Sequence, residues 1–171
     1  DMTFNFDESK PYIKSIQIID NGAGFNITNR ESFDTYLSST KQGTGGKGFG
    51  RFMYLKYFHD AIINSQYIDE GKYKIRNFRF GKQDEIIVDE FEGEATDEST
   101  GTDLMLKDIK DVKLLDKNLD VIARKLVEKL LVFFVDDTYN LSSIVLKEAD
   151  NSGSITLNDF INDNSSISKV G

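Results

Sequence analysis

Apolar and polar residues alternate from Met2 to Phe6 and again from Tyr12 to Ile19, where the run meets an Asn-Gly turn. A two-residue period sends every second side chain to the same face, so both stretches are expected as strands. A polar loop around Pro11, the only proline, joins them. Phe33, Tyr36 and Leu37 recur at helical spacing, which predicts a helix from Asn29 to Leu37 with Thr28 or Asn29 as its N-cap. Thr40 to Gly50 holds five glycines in eleven residues, too many for the interior of an element. Arg51 to Phe58 is expected as a helix that turns Phe52, Leu55 and Phe58 to a core, and Ala61–Ser65 as a strand.

Beyond this point the two-residue period returns in Lys72–Phe80, Asp84–Phe91 and Thr102–Lys107, with turn signals between, and predicts an antiparallel meander. Leu115–Val135 is the longest helical pattern, with Leu119, Ile122, Leu126, Leu130 and Phe133 stepping round by threes and fours. Ile144–Leu146 and Ile155–Leu157 flank Asp150-Asn151-Ser152-Gly153 as a hairpin. This order implies an α+β fold, a two-layer sandwich with helices on one face of a mixed, mostly antiparallel sheet. We divide it into a core at 1–112 and a helix-plus-hairpin extension at 113–171.

Composition narrows the chemistry. The chain has 171 residues, 39% of them apolar and 29% charged, which suits a globular domain that needs no metal or disulfide staple. Cysteine is absent, which excludes disulfides, thiolate metal sites and a cysteine nucleophile. His59 is the only histidine, and it is expected at or near the surface rather than as a phosphoacceptor. A net charge of −8 argues against general affinity for nucleic acid or anionic lipid. Leu130 to Val135, the longest purely apolar run, falls far short of the ~20 residues that cross a bilayer. The acidic amino end lacks the build of a signal peptide, so a cytoplasmic location is expected, and a start at Asp1 suggests a fragment or trimmed product. Charge is uneven. Ser38 to Phe58 carries Lys41, Lys47, Arg51 and Lys56 without an acid, whereas Asp84 to Asp103 holds nine acids without a base, read as a solvated hairpin face.

The basic stretch overlaps the glycine loop, and a glycine-rich loop entering a helix offers backbone N–H groups and a positive dipole end to phosphate. A Walker A loop fails at Lys41 and Gly48. Gly43-x-Gly45-x-x-Gly48 matches the dinucleotide fingerprint, but a predicted helix rather than a strand precedes it. The kinase H-R-D and D-F-G motifs do not occur. Asp150 to Ser154 fails as a calcium loop, because Gly153 is fourth rather than sixth. Two further elements stand out: Asp20-Asn21-Gly22-Ala23-Gly24-Phe25 at the end of a strand, and Gly101-Thr102 at the start of another.

In this order the three boxes resemble the GHKL superfamily of ATPases, which share the Bergerat fold; the resemblance covers residues 1 to about 107. It implies that Asp20 accepts the adenine amino hydrogen, that Gly22 and Gly24 let the backbone approach the base, and that Phe25 packs nearby. It implies that Gly46, Lys47, Gly48, Phe49 and Gly50 close over the phosphates of ATP as a lid, with Lys41 and Lys47 offsetting charge. Thr102 would support the adenine through the aspartate and a water, and Mg2+ would accompany the ATP. Hydrolysing members also carry an earlier E-x-x-x-N helix, whose Glu activates water and whose Asn ligates magnesium. That helix belongs before Met2–Phe6, where this chain leaves no room, so no catalytic base and no metal ligand are assigned.

The reading is therefore an ATP-binding module whose lid closure drives a partner domain or a second copy of itself. The strands at 72–94 and the sixty-odd residues after Thr102 separate it from a compact histidine-kinase core, the alternative enzyme. A non-hydrolysing, nucleotide-gated interaction module, docking through Leu115–Val135 and the tail hairpin, is the alternative outside the enzymes.

Overall fold

The computed structural model describes residues 1–6, 13–34, 52–81, 85–110, 118–135 and 143–164. They form two units, one from residues 1–16 and 113–171, the other from 17–112. Strands and helices follow the order β1 (Met2–Phe6), β2 (Ile13–Asp20), α1 (Ile27–Asp34), α2 (Phe52–Tyr57), β3 (Phe58–Asp69), β4 (Lys72–Phe80), β5 (Ile87–Glu94), β6 (Gly101–Ile109), α3 (Leu119–Val135), β7 (Val145–Glu148), β8 (Ser154–Thr156) and α4 (Leu157–Asn164). This is the expected α+β arrangement of a mixed sheet with few helices.

In the first unit β1 lies between β2 and β7. It pairs in parallel with β7, Thr3 opposite Lys147, and β7 pairs antiparallel with β8. Phe4, Ile13, Leu119, Ala123, Val127, Leu146 and Leu157 are its buried apolar residues. Helix α3 thus buries the i, i+4, i+8 stripe Leu119–Ala123–Val127, while Ile122, Leu126 and Leu130 flank it half-buried and Phe133 is exposed. Ala123, fully buried, holds the centre of the stripe, so the buried line runs one step off the larger residues that the periodicity favours. Asn118 caps α3, its Oδ1 accepting the Asp120 amide at 2.8 Å. The hairpin at Asp150 is present, but it leads straight into α4, a helix that the Asn- and Asp-rich sequence conceals.

The second unit has strand order β5-β4-β3-β6-β2. The pairs β5–β4, β4–β3 and β3–β6 are all antiparallel. Ala61, Ile63, Ser65 and Tyr67 of β3 are buried on one face with Phe78 and Phe80 of β4 and Leu104 and Leu106 of β6. Helix α1 packs on this front face through Phe33, whose ring meets those of Phe25, Phe78 and Phe80 edge-on at 5.3–5.6 Å. Strand β3 runs twelve residues, far beyond Ala61–Ser65, and takes Phe58 from the expected helix. Phe58 is buried and His59 is exposed. Helix α1 starts two residues earlier than expected because Asn26 is its cap, Oδ1 accepting the Asn29 amide at 2.9 Å. Strand β5 carries a bulge opposite Asn77–Arg79, with Asp89 at φ 53°.

Candidate functional site

Asp20 ends β2, and its Oδ1 accepts the Gly22 amide at 2.8 Å, a local turn that holds the carboxylate at the strand's end. A side chain at Gly22 would start 2.9 Å from that same oxygen. Gly24 has φ +68°, and a Cβ there would sit 2.0 Å from the Gln66 carbonyl oxygen, so only glycine lets the loop cross β3. Asn29 closes the loop from the other side, its Nδ2 donating to the Gly24 carbonyl at 2.7 Å.

The Gly101-Thr102 box arrives at the same place. A Cβ on Gly101 would lie 2.3 Å from the Asp20 carbonyl oxygen, so the second box packs directly on the backbone of the first. Ser65 joins the two: its Oγ accepts the Phe25 amide at 2.8 Å and donates to the Gly101 carbonyl at 2.9 Å. Thr102 stands opposite Ser65 in register, the two hydroxyl oxygens 3.5 Å apart. Asp20, Gly22, Gly24, Phe25 and Thr102, expected to act together, are therefore assembled around β3. The ring of Phe25 is engaged with Phe33 and Phe78 at 5.3 and 5.1 Å. Lys41, Gly46, Lys47, Gly48, Phe49 and Gly50 lie outside the described residues.

Sequence reasoning passed over three participants. Ser65 is 3% exposed and is the polar member of an otherwise apolar inward row in β3, which is the signal that betrays it. Arg76 is 4% exposed and donates Nη1 to the Phe25 carbonyl at 2.5 Å. Tyr54 of α2 has its phenol pushed up by burial first and then by the negative charge of Asp20.

A cavity of about 380 Å3 also touches Asp20 and Thr102, but it opens behind the loop. Its Asn64, Gln66, Ile75, Asn77 and Asp103 alternate with the inward Ser65, Arg76 and Thr102, so they belong to the reverse face. There Gln17 donates to both oxygens of Asp103 at 2.9–3.0 Å. Among the described residues no three acidic or histidine side chains converge on a point, so no magnesium ligand set is identified. No helix among them is long and apolar enough to cross a membrane.

Among solved structures the chain is similar to the ATPase region of Saccharomyces cerevisiae topoisomerase II, 14% identical over 90% of this chain at a TM-score of 0.51. The chain thus shares the fold of that ATPase region, the Bergerat fold that the resemblance implied. The same yeast region bound to ICRF-187 (dexrazoxane) matches at 15% identity and a TM-score of 0.48, again over 90% of this chain. The ATPase and transducer domains of topoisomerase II from Balamuthia mandrillaris match over 68% at 16% identity and 0.43. This Bergerat chain spans 42% of each yeast structure and 33% of the Balamuthia one. No protein-family model matches the sequence, and no curated protein does.

Proposed function

We propose that the chain is an ATP-binding module, with Asp20 reading the adenine. The observation that carries this reading is the convergence of two separate boxes, Gly101 against the Asp20 carbonyl with Ser65 bonded to both. A surface turn has no need of such closeness; a pocket floor for a flat base does. One oxygen of Asp20 is occupied by the Gly22 amide, and the other is available to accept the exocyclic amino group of adenine. Thr102 supports the carboxylate from the neighbouring strand, through a water. Gly22 and Gly24 carry no side chain that would hold the base away, and Phe25 backs the pocket through its aromatic contacts.

In this proposal Gly46, Lys47, Gly48, Phe49 and Gly50 close over the triphosphate, and Lys41 and Lys47 offset its charge. Mg2+ bound with the nucleotide would neutralise further phosphate charge; none of this chain's residues is assigned to it. Closure would act on a partner domain or on a second copy of the chain, in the cytoplasm. The likeness to a topoisomerase II ATPase region supports the nucleotide assignment at the level of fold.

The base supplies the test. Guanine presents a carbonyl oxygen where adenine presents an amino group, so a carboxylate acceptor at that point repels it. Displacement of a fluorescent adenine nucleotide should succeed with ATP and ADP and fail with GTP. Equal displacement by GTP would remove Asp20 from base recognition.

A further inference from the structure

Arg76 is an arginine buried in the floor of this unit, its side chain 5% exposed. Its Nη1 donates to the Phe25 carbonyl, Nη2 meets Glu92, Nε faces Glu90 at 3.1 Å, and the guanidinium lies 4.8 Å from the centroid of the Tyr67 ring. A buried arginine paired to carboxylates at the surface is a poor device for stability alone, because an apolar side chain of similar volume often does as well or better. What Arg76 does that an apolar residue cannot is grip a specific carbonyl.

That carbonyl is well chosen. Ser65 fixes the N–H of Phe25 and Arg76 fixes its C=O, so both polar groups of the residue that ends the Asp20 loop are held by side chains of β3 and β4. Glu90 also receives Arg30 of α1, the helix that starts directly after the loop, at 2.7 Å. The bulge at Asp89 makes this possible. An unbroken two-residue alternation from Val88, which pairs with Arg79 on the reverse face, would turn Glu90 and Glu92 to that face as well. The extra residue shifts the phase, and Glu92 comes opposite Arg76 on the front.

We infer that Arg76, held by Glu90 and Glu92, is a positioning residue for nucleotide binding, clamping the Phe25 carbonyl so that the Asp20 loop keeps its binding shape. The inference rests on the adenine-site reading above. It acts through the loop, since Arg76 grips the Phe25 carbonyl from within the floor of the unit.

The experiment measures ATP affinity by calorimetry and amide hydrogen exchange of the 20–26 segment in Arg76→Met, Arg76→Lys and Glu92→Gln, beside the parent and Asp20→Asn. Arg76→Met should bind ATP at least tenfold more weakly and lose protection at Phe25, while β3 and β4 keep theirs. Arg76→Lys should recover part of the affinity, and Ser65→Ala combined with Arg76→Met should lose less than the sum of the two, since both act on one residue. If Arg76→Met does not fold, Glu92→Gln carries the test, with a smaller loss in the same direction. ATP affinity unchanged in folded Arg76→Met, or in Glu92→Gln where that variant stands in, overturns the inference while Asp20→Asn still abolishes binding. ATP affinity unchanged in Asp20→Asn overturns the adenine-site reading instead.

Discussion

Gly101 lies so close to Asp20 that a methyl group in place of its hydrogen would stand 2.3 Å from the Asp20 carbonyl oxygen. Residues eighty-one positions apart in the chain are thus in backbone contact, and the glycine of the Gly-Thr pair permits that contact. Gly101→Ala should force β6 and the end of β2 apart, with an overpacking cost of about 1–3 kcal/mol. Denaturant unfolding measures the stability, and calorimetry should show weaker ATP binding because Asp20 is displaced.

Gly24 and Gly71 separate backbone strain from steric contact. Both have positive φ, +68° and +77°, but Gly71 has open space around it whereas Gly24 abuts β3. Gly71→Ala should cost only the left-handed penalty, roughly 1–2 kcal/mol. Gly24→Ala should cost distinctly more, because the Gln66 backbone must move as well. Equal unfolding midpoints for the two variants would contradict the close crossing.

Glu90 and Glu92 make stability sensitive to acid. The hydrogen bond from Arg30 holds the Glu90 carboxyl below the usual glutamate range, and that from Arg76 does the same for Glu92. A carboxyl with a depressed folded pKa binds its proton more readily in the unfolded chain. The stabilisation is therefore fully present above the ordinary glutamate range and is lost as pH falls through the lower, folded values. Both groups are largely solvated, so the effect is modest. Unfolding midpoints measured from pH 6 to pH 3 should fall more steeply in the parent than in Glu90→Gln/Glu92→Gln.

Much of this was legible in the sequence, for identifiable reasons. Strand β4 matches its expected span because clean alternation from Lys72 to Phe80 starts after Glu70-Gly71, a turn with two positive φ values. The α+β layering is readable because residue alternation encodes it, whereas the Asp20 and Gly101-Thr102 boxes are each only a turn by spacing and are joined by the resemblance. Strand β3 runs past the expected Ala61–Ser65; the polar Gln66 looks like an end, although it only faces the reverse side. Ser65 signals only as the polar member of an apolar row and Arg76 gives no signal, since their roles lie in hydrogen bonds to Phe25, forty and fifty-one residues away. The phase shift at Asp89 is equally invisible, being a property of pairing rather than of any one residue.

The account turns on the Asp20 carboxylate as the acceptor for an adenine amino group. Calorimetric titration of ATP into the parent chain and into Asp20→Asn, with folding of both checked by circular dichroism, tests this directly. The amide of asparagine can turn a donor toward the base where an acceptor is required, a mismatch worth about 1–3 kcal/mol when buried. The account predicts saturable binding to the parent, at least tenfold weaker or undetectable in the folded variant. Binding of ATP with the same affinity in both would contradict it.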